Sequence, residues 1–98
     1  MEITTSRDGG KLTVAVEGAI DTNTAPLFEE KLMAELYDVQ DVVIDFEKLR
    51  YISSAGLRVL LLAMKTMQDK GSMVIRNVND VVLETLEITG MLDILDIE

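Results

Sequence analysis

The sequence YISSAGLR, residues Tyr51–Arg58, joins two apolar segments. VVIDF at 42–46 precedes it and is typical of a buried strand, while apolar positions after it continue with helical spacing to Met67. A serine oxygen at a helix start accepts a hydrogen bond from a free backbone N–H group, so Ser53 or Ser54 is predicted to cap this helix. A second interpretation is that one serine carries a phosphate as a switch, because the N–H groups and the helix dipole favour an anion there.

The residues on both sides of this junction predict a regular alternation of strands and helices. An N-terminal hairpin is expected around the turn sequence DGG at 8–10, and its second strand alternates apolar and polar residues. A helix is expected after Thr24, with Pro26 in its first turn. The uniformly apolar strand at 41–46 is predicted to be covered on both faces. The predicted elements are strands at 2–7, 11–18, 41–46, 72–76 and 91–97, and helices after 24, over 54–70 and after 79.

This order of elements, β-β-α-β-α-β-α-β over residues 1–98, predicts one α/β domain. A hairpin followed by βαβ crossovers gives a mixed β-sheet, and the helices are expected to cover it. No repeat, linker or low-complexity segment divides the chain.

The helix predicted over 54–70, with Gly71 as its C-terminal cap, has an uneven distribution of apolar residues. Leu62 falls among the polar positions of its helical wheel, and Val59 falls beside them, which indicates a contact surface. Alternatively, single exposed apolar residues are common and carry no meaning. The predicted core stripe is Leu57, Leu60, Leu61, Met64 and Met67, and the opposite face carries Arg58, Lys65 and Asp69.

The composition narrows the possible functions. The 98 residues include no cysteine and no histidine, which excludes disulfides, Cys/His zinc sites and a histidine general base. The net charge of −9 disfavours direct binding to nucleic acid or to anionic membrane surfaces and favours a basic partner. No segment resembles a signal peptide or reaches the length of a membrane span, so a cytoplasmic protein is expected, with no membrane insertion.

An enzymatic role is not expected. Ser54 has no histidine to activate it, and the sequence around it departs from the Gly-x-Ser-x-Gly pattern. Asp21 and Asp45 are the only acids at predicted ends of elements that could converge on a metal, and each has a structural explanation. A phosphoryl-accepting receiver domain is also excluded, because the acidic pair after the first strand and the late lysine are absent. The sequence therefore predicts no metal and no cofactor.

The chain resembles a small STAS domain of the bacterial anti-sigma factor antagonist family over essentially its whole length. Three segments carry the resemblance: GAIDT at 18–22, VVIDF at 42–46 and, above all, YISSAGLR at 51–58. The family pattern in the last segment is a hydrophobic residue followed by Asp-Ser-Ser/Thr/Ala-Gly-Leu. Ser54 matches the first serine of that pattern. Ser53 replaces the family's aspartate.

The resemblance implies a protein–protein switch. Such proteins, when unmodified, bind an anti-sigma factor that is also a serine kinase, and thereby free a sigma factor. The kinase phosphorylates the serine that matches Ser54, and a serine phosphatase reverses the reaction. Alternative roles are a STAS scaffold of a stress-signalling assembly, an accessory subunit of a lipid-transporting ABC system, or a STAS domain whose serine is only a cap. The predicted partner-binding residues are Asp21, Thr22, Ser53, Ala55, Gly56, Arg58, Val59 and Leu62.

Overall fold

The computed structural model describes residues 1–98, which form five strands and three helices. The elements in chain order are β1 (Glu2–Asp8), β2 (Lys11–Ile20), α1 (Ala25–Ala34), β3 (Asp41–Asp45), β4 (Leu49–Ile52), α2 (Ser54–Gln68), β5 (Ser72–Arg76) and α3 (Asp80–Ile88). A short 3-10 helix, Met91–Asp93, follows α3. None of the helices combines the length and apolar character that crossing a bilayer requires.

β2 is the longest strand, and it has two parallel partners in succession. β1 pairs with it antiparallel, and its residues 11–15 pair with β3 while Gly18–Ile20 pair with β4. The register shifts between Gly18 and Ala19, where Gly18 has a φ of 100°. An L-residue with a side chain rarely adopts such a φ, so glycine allows the irregularity that separates the two pairings. β5 completes the sheet by pairing parallel with β3, which gives the order β1-β2-β3-β5.

The three helices lie on one face of the sheet. Leu12, Val14 and Val16 of β2 point to this face and are at most 1% exposed, as the alternating pattern predicts. They belong to one core of 23 buried side chains that also contains every buried apolar residue of α1, α2 and α3. Val43 of β3 is 6% exposed but lies outside this core. It pairs with Thr13 of β2 and Val74 of β5, on the opposite face of the sheet. Both faces of β3 are therefore buried, as predicted, although the helices cover only one of them.

The fold class predicted from the sequence, a single α/β domain with a mixed sheet, is confirmed. The hairpin and the strand at 72–76 are present, and Asn79 caps α3 by accepting a hydrogen bond from the Val82 N–H at 2.9 Å. Phe28, Leu32 and Leu36, which repeat every four residues, are each at most 1% exposed. Phe28 and Leu32 lie on the side of α1 that faces the core, and Leu36 reaches the same core just after the helix ends.

The predicted order of elements is wrong in two places. β4 was not predicted for two reasons. Its four residues are too few to show an apolar period, and only residues 46–48 separate it from β3. The strand predicted at 91–97 is absent, although apolar and acidic residues alternate there. Leu95 is the only buried residue of that segment. The segment pairs with the sheet only through a single bridge between Ile75 and Ile97.

Candidate functional site

The parallel pairing of β2 with β4 brings together the two segments that the sequence singled out. Ile20 lies opposite Ile52 at the ends of the two strands, and the Ser53 N–H donates to the Ile20 carbonyl at 2.8 Å. Asp21 therefore follows β2 at the same edge of the sheet where Ser53 follows β4. The helices α1 and α2 both begin just beyond this edge. The site is thus formed by two strand ends and two helix starts.

Ser53 is the N-cap of α2, which settles the choice between the two serines. Its Oγ accepts a hydrogen bond from the Gly56 N–H at 3.3 Å, and the residue is 8% exposed. Such a cap stabilises a protein by about 1 kcal/mol relative to alanine. An aspartate at this position would supply the same acceptor, so the replacement of the family's aspartate by Ser53 retains the capping role. Ser54 is the first residue of the helix and is exposed, and its hydroxyl is not used by the cap.

Gly56 allows α2 to lie close to the ends of β2 and β4. A Cβ atom at this position would lie 2.7 Å from Ile20 Cγ2 and 2.7 Å from Ile52 Cγ1. Both isoleucines are fully buried and branched at Cβ, so they have little freedom to move. Gly56 is itself buried. The glycine of the YISSAGLR segment therefore positions the helix start and presents no side chain to a partner.

Asp21 organises the turn between β2 and α1. Its Oδ1 accepts hydrogen bonds from the backbone N–H groups of Asn23 and Thr24, each at 2.9 Å. The Asp21 N–H donates to Thr24 Oγ1 at 2.8 Å, which closes the turn from the other side. The hydrogen bond from the Thr24 N–H is the largest cause of a lowered pKa of the Asp21 carboxyl, because it stabilises the charged form.

The Asp21→Asn variant should test this turn through the pH dependence of stability. The pKa of Asp21 is lower in the folded chain than in the unfolded one, so its charged form stabilises the fold above the unfolded pKa, about 4. That stabilisation is lost as the pH falls through the folded pKa. Asparagine keeps an acceptor oxygen but does not titrate. Urea unfolding of both proteins from pH 7 to pH 2.5 should show their stability difference shrinking below about pH 4. A difference that stays constant over this range would contradict the assignment.

The predicted binding residues on α2 differ widely in exposure. The side chain of Arg58 is 66% exposed, and its Nη2 lies 3.2 Å from Glu29 Oε1 of α1. Ala55 and Leu62 are half-buried. Val59 is 1% exposed and belongs to the core, so its predicted position beside the polar face is wrong. α2 packs against α1 as well as against the strands. Relative to the predicted stripe, the buried arc of the helix is shifted toward Val59 and Ala63, and Leu61 is only half-buried.

Thr22 is exposed in the turn that Asp21 holds, next to the start of α1. Two further residues contribute to the site without having been predicted. Thr24 closes the Asp21 turn, and Glu29 pairs with Arg58. Asp21 and Thr24 are three residues apart, a spacing that often marks a capped helix start. Glu29 and Arg58 are 29 residues apart in the sequence, and only the packing of α1 on α2 brings them together.

The chain is similar to known proteins over nearly its full length. The family model described as STAS domain matches residues 2–98. The chain is 36% identical over 96 residues to BtrV of Bordetella bronchiseptica, covering 96% of this chain and 83% of BtrV. It is 34% identical over 96 residues to the anti-sigma-B factor antagonist of Listeria monocytogenes, covering 94% of this chain and 82% of that protein.

Solved structures share the fold at lower sequence identity. An anti-sigma factor antagonist from Mycobacterium paratuberculosis superposes with a TM-score of 0.89 at 22% identity, covering 98% of this chain and 83% of that one. The anti-sigma factor antagonist SpoIIAA in its unphosphorylated form superposes with a TM-score of 0.84 at 15% identity, covering 99% and 88% of the two chains.

Proposed function

This chain belongs to the STAS domain family, and from that premise we propose that it is an anti-sigma factor antagonist controlled by phosphate on Ser54. In its unmodified form it binds an anti-sigma factor that is also a serine kinase, and this binding frees a sigma factor. The observation that carries the proposal is the division of roles between the two serines. Ser53 is buried and caps α2, whereas Ser54 is exposed at the first position of the helix, with a hydroxyl that the cap does not use.

The chemistry of the switch takes place on the Ser54 hydroxyl. The kinase transfers the γ-phosphoryl group of ATP to Ser54 Oγ, which loses its proton, and ADP is released. A serine phosphatase hydrolyses the resulting ester and restores the hydroxyl. The chain itself supplies an accessible acceptor and no catalytic group. SpoIIAA, which shares the fold, has been solved in a phosphorylated form.

Phosphorylation is expected to act on the complex and to leave the fold intact. Ser54 is at the first position of α2, where the helix dipole offsets part of the negative charge, and it is exposed. The phosphate adds nearly two negative charges to a chain of net charge −9. In the complex, this dianion would lose its water against the partner surface, which is costly unless cations of the partner balance its charge. The free protein avoids that cost.

The residues predicted to bind the partner divide into two groups by exposure. Buried residues act indirectly, because they hold the start of α2 in place: Ser53 caps it, Gly56 allows its approach to the sheet and Val59 anchors it in the core. The remaining residues are accessible enough to contact the kinase and, in turn, the phosphatase: Asp21, Thr22, Ala55, Arg58 and Leu62.

Phosphosite mapping combined with affinity capture tests the proposal. The tagged protein is incubated with ATP and a lysate of its source, and phosphosites and captured proteins are identified by mass spectrometry. We expect phosphate on Ser54 and capture of a soluble ATP-binding kinase. The Ser54→Ala variant is the matched control and should carry no phosphate on Ser53, because the Ser53 hydroxyl is buried in the cap. Capture of an ABC ATPase with membrane components, and an unmodified Ser54, would instead support a transporter subunit.

A further inference from the structure

We infer that Arg58 is an exchangeable partner, bound to Glu29 in the unmodified chain and to the phosphate when Ser54 is phosphorylated. This inference rests on the proposed function, since it concerns the phosphorylated state of the same site. It assigns a role to a basic residue that the helix cap and the core do not use. Arg58 is the only basic residue in the first two turns of α2.

The position of Arg58 on the helix places it within reach of a group attached to Ser54. The two residues are four positions apart in α2, so they lie on the same face, with about 5–6 Å between their Cβ atoms. Side chains on an α-helix tilt toward its N-terminus, so Arg58 extends back over the turn that contains Ser54. The guanidinium can therefore meet the phosphate oxygens by side-chain rotation alone.

The present pairing of Arg58 is weak enough to be exchanged. Its Nη2 contacts a single oxygen of Glu29 at 3.2 Å, and the two side chains are 66% and 37% exposed. Ion pairs that are so accessible to water contribute little to stability. A phosphate has nearly twice the charge of a carboxylate and three acceptor oxygens, and it can accept two parallel N–H bonds from one guanidinium. The phosphate is therefore the preferred partner of Arg58.

The exchange has two consequences for the surface that the partner meets. The Glu29 carboxylate loses its cation, so an acidic group on α1 becomes unpaired at the same time as the phosphate appears on α2. Arg58 is withdrawn from its position between the two helices, where an acidic group of a partner could have bound it. Phosphorylation then changes two groups of the surface through one covalent event.

A phosphorus-31 NMR titration of protein with phosphoserine encoded at position 54 tests this inference directly. Because the phosphate is installed during synthesis, the result does not depend on whether a kinase or partner exists. A nearby cation lowers the second pKa of phosphoserine, which is about 6 in its absence. Arg58→Gln should raise this pKa by about half a pH unit relative to the protein with Arg58. Arg58→Lys should raise it less, because the charge is retained without the bidentate geometry.

Two further variants make the test specific. Lys65→Gln removes a positive charge from the same helix, about three turns from Ser54, and should leave the phosphoserine pKa unchanged. Glu29→Gln should lower the pKa when Arg58 is present and have a smaller effect in the Arg58→Gln background, because Glu29 competes for Arg58. The same phosphoserine pKa with Arg58 and with Gln at position 58 would overturn the inference. Loss of partner binding on phosphorylation, measured separately, would still support the proposed function.

Discussion

Phosphorylated Ser54 is expected to lower the affinity for the anti-sigma factor by at least about 100-fold, or about 3 kcal/mol, and Ser54→Asp by about 10-fold. The phosphate carries nearly two charges and the aspartate one, so the carboxylate reproduces only part of the effect. Ser54→Ala should bind as tightly as the unmodified protein and should not respond to ATP. Calorimetry or surface plasmon resonance with the captured anti-sigma factor measures all of these affinities.

Ser6→Asp provides the matched control for the Ser54→Asp measurement. Ser6 is an exposed serine on β1, and its pairing with Thr13 places it on the sheet face opposite the helices. The substitution adds the same charge far from Ser54 and is expected to change the affinity less than about twofold. Thermal unfolding of Ser54→Asp should remain close to that of the parent, because the residue is exposed at the start of α2. Equal affinities of the unmodified protein and Ser54→Asp would refute the switch.

Gly71→Ala is expected to destabilise the fold by about 3 kcal/mol, which lowers the melting temperature by about 15 °C in a domain of this size. A Cβ atom at Gly71 would lie 1.7 Å from the Gln40 carbonyl oxygen and 2.7 Å from its carbon. The obstacle is backbone, so no side-chain rotation can relieve it. The same Gln40 oxygen accepts a hydrogen bond from the Ser72 N–H at 2.9 Å, and the clash therefore disturbs the start of β5.

Gly10→Ala is the matched control, because its Cβ would meet the side chain of the same glutamine and not its backbone. The nearest atom would be Gln40 Oε1 at 3.4 Å, at the flexible end of the side chain. This variant should cost less than about 1 kcal/mol. Differential scanning calorimetry compares the two proteins with the parent, and a Gly71→Ala protein that melts within a few degrees of it would show that the backbone adapts at this point.

Gly71 was singled out in the sequence, but its role in the structure differs from the predicted one. The sequence suggests a cap at the end of the helix, since glycine often stands there with a positive φ. The helix ends at Gln68, and Gly71 is not among the residues with positive φ. It is required because β3 and β5 begin side by side and the chain passes close to the Gln40 carbonyl. This contact joins residues 31 positions apart, so local pattern alone does not reveal it.

The sequence by itself determined the class of the fold, and its resemblance to the STAS family singled out Ser54 as the candidate switch residue. Apolar periodicity, turn glycines and helix caps are local properties, and they specify the hairpin, the three helices and the junction at YISSAGLR. Those eight residues also placed two serines at a helix start. They did not determine which serine would be the cap, because either oxygen could accept a bond from a free N–H group.

The tertiary structure decided which residues meet at the site. Pairing of β4 with the end of β2 places Asp21 beside Ser53, and packing of α1 on α2 joins Glu29 to Arg58 while it buries Val59. These relations depend on strand register and helix packing between distant segments, which local periodicity does not encode. The same packing buried Ser53 as the cap and left Ser54 exposed. YISSAGLR therefore contains the proposed acceptor hydroxyl, and the contacts around it leave that hydroxyl accessible.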